Sequence, residues 1–200
     1  MHKQVSDFID QHKGETGYVV GKGKTAFDYA LLGRVDPNSP VFFINDAVLL
    51  EKHLRPAQPS FMTFLDHHQR LWTQAILKSV VLCPHEHSPG AGPNVVFYQK
   101  DPDITKLIKQ PGTPLYVSRG TVCTLLSFAW LTGVSRIIFI GCDGVNDSSK
   151  APYDPRIPNP SGGTPNWEYD AIRKAQEATC RSLRLPFEYL GTPKQNTPTV

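Results

Sequence analysis

Seven short runs of β-branched and aromatic residues limit the fold more than any other feature of this chain. They are Tyr18 to Gly21, Val41 to Asn45, Phe61 to Asp66, Ser79 to Cys83, Val95 to Tyr98, Arg136 to Gly141 and Phe187 to Leu190. Most close in or against Gly, Asn, Asp or Pro, and most are followed by a helix-compatible stretch. Runs that are apolar at nearly every position suit a sheet covered on both faces, and alternation with helices favours parallel pairing through βαβ units. The expected fold class is therefore α/β, a three-layer Rossmann-like sandwich with a mostly parallel sheet.

With 200 residues, 40% of them hydrophobic and 20% charged, the chain has enough apolar material for one large core. A single domain over residues 1–190 is expected, followed by a Pro/Thr/Gln-rich flexible tail over 191–200. A net charge of +3 is too mild to indicate nucleic acid as a partner, while local basic groups still suit an anionic small molecule. No apolar run approaches the roughly 20 residues of a membrane span, and Met1-His2-Lys3-Gln4 lacks the apolar core of a signal peptide, so a cytoplasmic location is expected. Self-association is left open. Cys83, Cys123, Cys142 and Cys180 lie far apart in strand-like or helix-like segments and read as core thiols.

Two helices stand out. One runs from about Arg119 to Thr132, with Ser118 placed to cap it and Gly133 to end it. It is apolar nearly all round, from Val122 to Leu131, which marks it as buried. A second, from Trp167 to Leu185, carries mixed charge and reads as a surface helix broken by Pro186. Between them, residues 145–166 hold five prolines, three serines and two glycines. That stretch is too long and Pro-rich for an ordinary connection and reads as a lid or flexible insertion.

Candidate chemistry gathers where strands end. Gly21-Lys22-Gly23-Lys24-Thr25 follows the first strand and precedes a helix-compatible segment, so its amides and the Thr hydroxyl are candidates to face an anion. It is neither the dinucleotide fingerprint, which needs a third glycine, nor a P-loop, because Tyr18 stands where the leading glycine belongs. A tight turn with solvated lysines is the plainer alternative. Asn45 and Asp46 sit just beyond the second run, where open α/β sheets bind ligands, and a carboxamide there reads donors and acceptors of a base or ribose. The competing reading is a helix cap. Ser118-Arg119-Gly120-Thr121 would bring amides, a hydroxyl and a guanidinium together at the start of the buried helix. Asp143, beyond the Ile137 run, is a candidate for a ribose or a metal. The histidines at Asp66-His67-His68 and Cys83-Pro84-His85-Glu86-His87 lack an established zinc spacing, so no metal is assigned and surface histidines are expected.

In order of elements, the chain resembles the bacterial family 42 sialyltransferases and the related pterin diphosphokinase-like proteins. Gly21 to Thr25 echoes the Gly-Asn-Gly-Pro-Ser loop of the sialyltransferases, Ile44-Asn45 matches their Cys-Asn pair, and Phe64-Leu65-Asp66 stands in place of Phe-Tyr-Asn. Ser118-Arg119-Gly120 through Thr132-Gly133 to Gly141-Cys142-Asp143 follows their Thr-Ser-Gly, Leu-Gly and Gly-Ile-Asp layout. Tyr153 is the counterpart of their phosphate-binding tyrosines. The resemblance implies a glycosyltransferase that binds a nucleotide-sugar donor and a sugar or glycan acceptor with no required cofactor. Gly21, Lys22, Gly23, Lys24, Thr25, Asn45, Asp46, Ser118 and Gly120 would line the donor site, with Asp66, Asp143, Arg119 and Tyr153 as catalytic candidates. The family's general-base histidine has no counterpart, since no His follows His87; Asp66, Asp143, Asp147 and Asp154 are the substitutes on offer. Two alternatives stand beside this reading, the second of them motivated by the missing histidine. One is ATP-dependent diphosphate transfer to a small alcohol such as a pterin, with magnesium on Asp143 or Asp46. The other is a catalytically silent nucleotide-binding domain.

Overall fold

The computed structural model describes residues 3–27, 29–54, 56–63, 79–84, 94–142 and 166–191. Asp66, the histidines at 67, 68, 85 and 87, Asp143, the lid-like stretch 145–165 with Tyr153, and the tail 192–200 lie outside the described residues. The strands are β1 (Thr16–Val20), β2 (Val41–Ile44), β3 (Phe61–Thr63), β4 (Val80–Pro84), β5 (Val95–Tyr98), β6 (Lys100–Asp101), β7 (Leu115–Tyr116), β8 (Arg136–Ile140) and β9 (Phe187–Tyr189). The helices are α1 (Tyr29–Leu32), α2 (Glu51–Leu54), α3 (Thr121–Leu131) and α4 (Asn166–Ser182).

All seven runs read from the sequence enter one sheet in the order β5-β4-β3-β2-β1-β8-β9, and every pairing is parallel. β6 and β7 pair separately as a short parallel ladder. Neighbouring apolar residues alternate between two cores because successive strand side chains point to opposite faces. Val19, Phe42, Phe61, Leu82 and Phe139 pack with α3 on one face. Val20, Phe43, Met62, Cys83 and Ile140 pack with Ala26, Leu32, Ala47 and Val48 on the other. The sheet is thus the middle of three layers. Full burial of a side chain such as Phe42 contributes about 1.5–3 kcal/mol.

α3 is buried at ten of its 11 residues. Phe128 reaches from it to the sheet, with ring centroids 5.1 Å from Phe61 and 5.6 Å from Phe8. The helix starts later than its sequence suggests: its N-cap is Gly120, not Ser118, and a glycine has no side chain with which to cap it. Gly120 has φ 81° and ψ 155°, a region essentially restricted to glycine, so backbone geometry overrides the capping preference of serine. Gly133 ends the helix in the left-handed region at φ 91°.

The N-terminal stretch covers the outer side of β5 and then closes the amino edge of the sheet beneath α3. The N–H groups of Asp10, His12 and Gly14 donate to the carbonyls of Leu131, Thr132 and Gly133 at 2.9, 2.7 and 3.0 Å. Upstream, Gln4 bridges Phe97 on β5. α4 is not the plain surface helix its charge suggests. Gln176, Thr179 and Cys180 are buried, and Thr179 Oγ1 donates to Cys123 Sγ at 3.4 Å. The mixed charge occupies one side of the helix only, and the other side packs on α3. Among the described residues no helix is long and apolar enough to cross a membrane.

Candidate functional site at the strand ends

The chain runs from β1 through β2, β3 and β4 to β5 in one direction across the sheet, then returns to place β8 on the other side of β1. The carboxyl ends of β1 and β8 therefore form the switch point where ligands bind in open α/β sheets. Here that point is tightly laced. Gly21 N–H donates to Ile140 O at 2.8 Å, Gly23 N–H to Gly141 O at 2.7 Å, and Gly141 N–H to Thr25 Oγ1 at 2.9 Å. A Cβ at Gly21 would run into the Gly141 carbonyl oxygen. One at Gly141, where φ is 64°, would lie 2.5 Å from Ala26 Cβ and 2.6 Å from Gly21 O. The glycines are there because two main chains meet. The amides of Gly21 and Gly23 and the acceptor side of the Thr25 hydroxyl, read from sequence as facing an anion, are engaged with β8. Lys24 opens the short 3-10 turn Lys24–Phe27 that follows.

Beyond β2 the chain enters a 3-10 turn, Asn45–Leu50, and Asn45 takes φ 51°. Asparagine tolerates that left-handed conformation better than most residues. The turn sends two consecutive side chains to different neighbours. Asn45 Oδ1 accepts the Thr121 hydroxyl at 3.2 Å, which ties β2 to the start of α3. Asp46 pairs with Lys22 Nζ at 3.2 Å, with the two side chains only 9% and 13% exposed. Removing one member of a pair buried to that degree leaves an uncompensated charge.

The start of α3 completes the cluster. Ser118 and Gly120 form a narrow bridge, Arg119 is exposed between them, and Ile172 of α4 lies 3.4 Å from where a Gly120 Cβ would stand. The three sequence motifs at 21–25, 45–46 and 118–121 therefore share the carboxyl edge, joined by two side-chain pairs.

One cluster was missed in the sequence reading. Arg173 Nε pairs with Glu177 at 3.3 Å and its guanidinium lies 4.5 Å over the Tyr189 ring. Gln176 Nε2 donates to the Tyr189 hydroxyl at 2.9 Å, and that hydroxyl donates to Glu177 at 3.4 Å. Burial and the Glu177 charge push the Tyr189 phenol upward, so it stays protonated. The spacing of Arg173 and Glu177, opposite the Phe187-Glu188-Tyr189 strand, is the signal that was available. Cys142, just past β8, is the half-buried exception among four free thiols. Burial pushes Cys83 up to about 11 and Cys180 up to about 12. Among the described residues no three His, Cys, Asp or Glu side chains gather as a metal site.

No family model matches the chain, and no curated protein matches it. A solved structure, the MAf glycosyltransferase from Magnetospirillum magneticum AMB-1, superimposes with a TM-score of 0.56 at 12% identity. The match covers 97% of this chain and 37% of that one, so the chain spans a little over a third of the matched protein's length. Identity this low speaks to the fold, which is a three-layer Rossmann-like sandwich with a mostly parallel sheet.

Proposed function

We propose that this chain is a glycosyltransferase-like enzyme, similar to the sialyltransferases in its donor site, which binds a nucleotide-sugar at the carboxyl edge of β1, β2 and α3. The observation that carries the reading is the meeting of Asn45 and Thr121 at 3.2 Å beside the Lys22–Asp46 pair. It gives a switch-point site a carboxamide and a helix start on one side and a lysine on the other. Likeness of fold to a solved glycosyltransferase supports the reaction class.

In this reading Gly21, Gly23 and Thr25 hold the floor of the site by joining β1 to β8. Lys22, Asn45, Asp46, Ser118 and Gly120 line it. Lys24, Arg119 and Tyr153 offset charge on the leaving phosphate, and Asp66 or Asp143 takes the acceptor proton.

The test is thermal shift and calorimetry with CMP, CDP, UDP, GDP, ADP and ATP, with and without magnesium, on wild type and Asn45→Ala. Metal-independent stabilisation by a pyrimidine nucleotide, lost in the variant, is the expected result. Stabilisation by ATP with magnesium alone would transfer the site to diphosphate transfer, and no response to any nucleotide would remove the donor site altogether.

A further inference from the structure

We infer that Thr121 is a positioning residue that fixes which way the Asn45 carboxamide faces, so that Asn45 offers its Nδ2 hydrogens to the ligand and meets a hydrogen-bond acceptor there. The inference deepens the donor-site reading and rests on it.

Three observations converge on this orientation. Asn45 Oδ1 is 3.2 Å from Thr121 Oγ1, and Thr121 is only 6% exposed. A hydroxyl buried to that degree needs an acceptor for its hydrogen, and among the described residues Oδ1 is the one it reaches. With the amide turned over, Nδ2 would donate to the hydroxyl oxygen and the hydroxyl hydrogen would be stranded. The second observation is that Thr121 is the first residue of α3, after a Gly120 cap without a side-chain hydrogen bond. The positive end of the helix field therefore favours the amide oxygen beside it over the amide hydrogens. Third, φ at Asn45 is 51°, which aims Asn45 at α3 while Asp46 turns to Lys22, so the carboxamide is fixed at its root as well as its tip.

Once Oδ1 is committed, Nδ2 is the part of Asn45 left for a ligand, and among the described residues it has no partner. Two amide hydrogens select an acceptor: a base carbonyl, an unprotonated ring nitrogen or a phosphate oxygen. The polarity of the site at this point is therefore set from α3, by a residue that itself need not touch the ligand.

Calorimetric titration of CMP, UDP, cytidine and inorganic pyrophosphate into wild type, Asn45→Ala, Asn45→Asp, Thr121→Val and Thr121→Ser tests this. Asn45→Ala is expected to weaken nucleotide binding about 10-fold, and Asn45→Asp further, because a carboxylate sets acceptor against acceptor. Thr121→Val weakens it about 5-fold and Thr121→Ser restores it to within about 2-fold. Cytidine sensitive to these changes and pyrophosphate insensitive places a base against Asn45; the reverse places a phosphate oxygen there. Asn45→Asp binding tighter than Asn45→Ala would mean that the ligand presents a donor, and would overturn the inference. A parallel measurement needs no ligand: ¹⁵N relaxation of the Asn45 side-chain amide loses order in Thr121→Val and keeps it in Thr121→Ser. Unchanged order in Thr121→Val would also overturn it. Should wild type bind none of the four probes, the donor-site reading fails, and the relaxation measurement still decides whether Thr121 orients Asn45.

Discussion

The two ends of α3 are finished in opposite ways. At the carboxyl end, three successive carbonyls, Leu131, Thr132 and Gly133, each accept a main-chain N–H from residues 10–14. At the amino end the cap is a glycine with no side-chain hydrogen bond, and the nearest polar partner is Asn45, borrowed from β2. The carboxyl end is closed by main-chain hydrogen bonds from a distant segment, and the amino end by a glycine whose conformation starts the helix. The same contrast extends across the sheet. At the amino edge Glu51 accepts from Ser60 and Ser79, which also touch each other. At the carboxyl edge the main chains themselves meet, Gly21 N–H on Ile140 O and Gly23 N–H on Gly141 O.

The harshest way to break the contrast is Gly141→Ala, which would set a methyl group 2.5 Å from Ala26 Cβ at φ 64°. The expected loss is about 3 kcal/mol or more, read by urea unfolding, with nucleotide binding lost as the floor opens. A cost below about 1 kcal/mol would mean that the β1 and β8 ends do not meet as described. Gly133→Ala strikes the other end, with φ 91° and a Cβ 3.0 Å from Lys13 Cα. It is expected to cost about 2 kcal/mol while any nucleotide response survives in the folded fraction. Loss of binding beyond that explained by unfolding would join the two ends functionally and dissolve the comparison.

A gentler test sharpens it. Thr124 is fully buried in α3, and among the described residues its hydroxyl has no hydrogen-bond partner. Thr124→Val keeps the shape and removes the stranded group, so a gain of about 1 kcal/mol is expected in the same unfolding assay. A loss would show that the hydroxyl has work at the amino end of the helix. The smallest effect lies in the α3–α4 interior. Burial holds the Cys180 thiol at about 12 against an ordinary 9.0, and the nearby Cys123 adds to the shift. The raised folded value means that its contribution to stability is complete below about pH 9 and falls away as the pH climbs toward 12. The urea midpoint of wild type should therefore drop more steeply between pH 8.5 and 10.5 than that of Cys180→Ala. Parallel slopes would indicate water beside the thiol.

The fold was legible because its signal is local. Val41-Phe42-Phe43-Ile44 and Arg136-Ile137-Ile138-Phe139-Ile140 announce buried strands whatever lies around them. β6 and β7 escaped notice because Lys100-Asp101 and Leu115-Tyr116 are too short to show a period. The gathering of residues 21–25, 45–46 and 118–121 at one edge was legible as a set of positions but not as a set of bonds. Nothing near Gly21 reveals that Gly141 will press against it, and nothing near Asn45 reveals Thr121. The Ser118 cap failed for a related reason: propensity describes side chains, while the helix starts at Gly120, whose φ 81° and ψ 155° only glycine adopts readily. Mixed charge along α4 masked the stripe of Ile172, Gln176, Thr179 and Cys180 that faces inward.

The segment that closes the amino edge also shapes how this molecule is made. Gln4 pairs with Phe97, and residues 10–14 pair with residues 131–133, so a stretch synthesised well before its partners must wait for both. These are contacts of high sequence separation, and they add to the contact order that slows folding. The carbonyls of residues 131–133 that this segment pairs with are synthesised long after it.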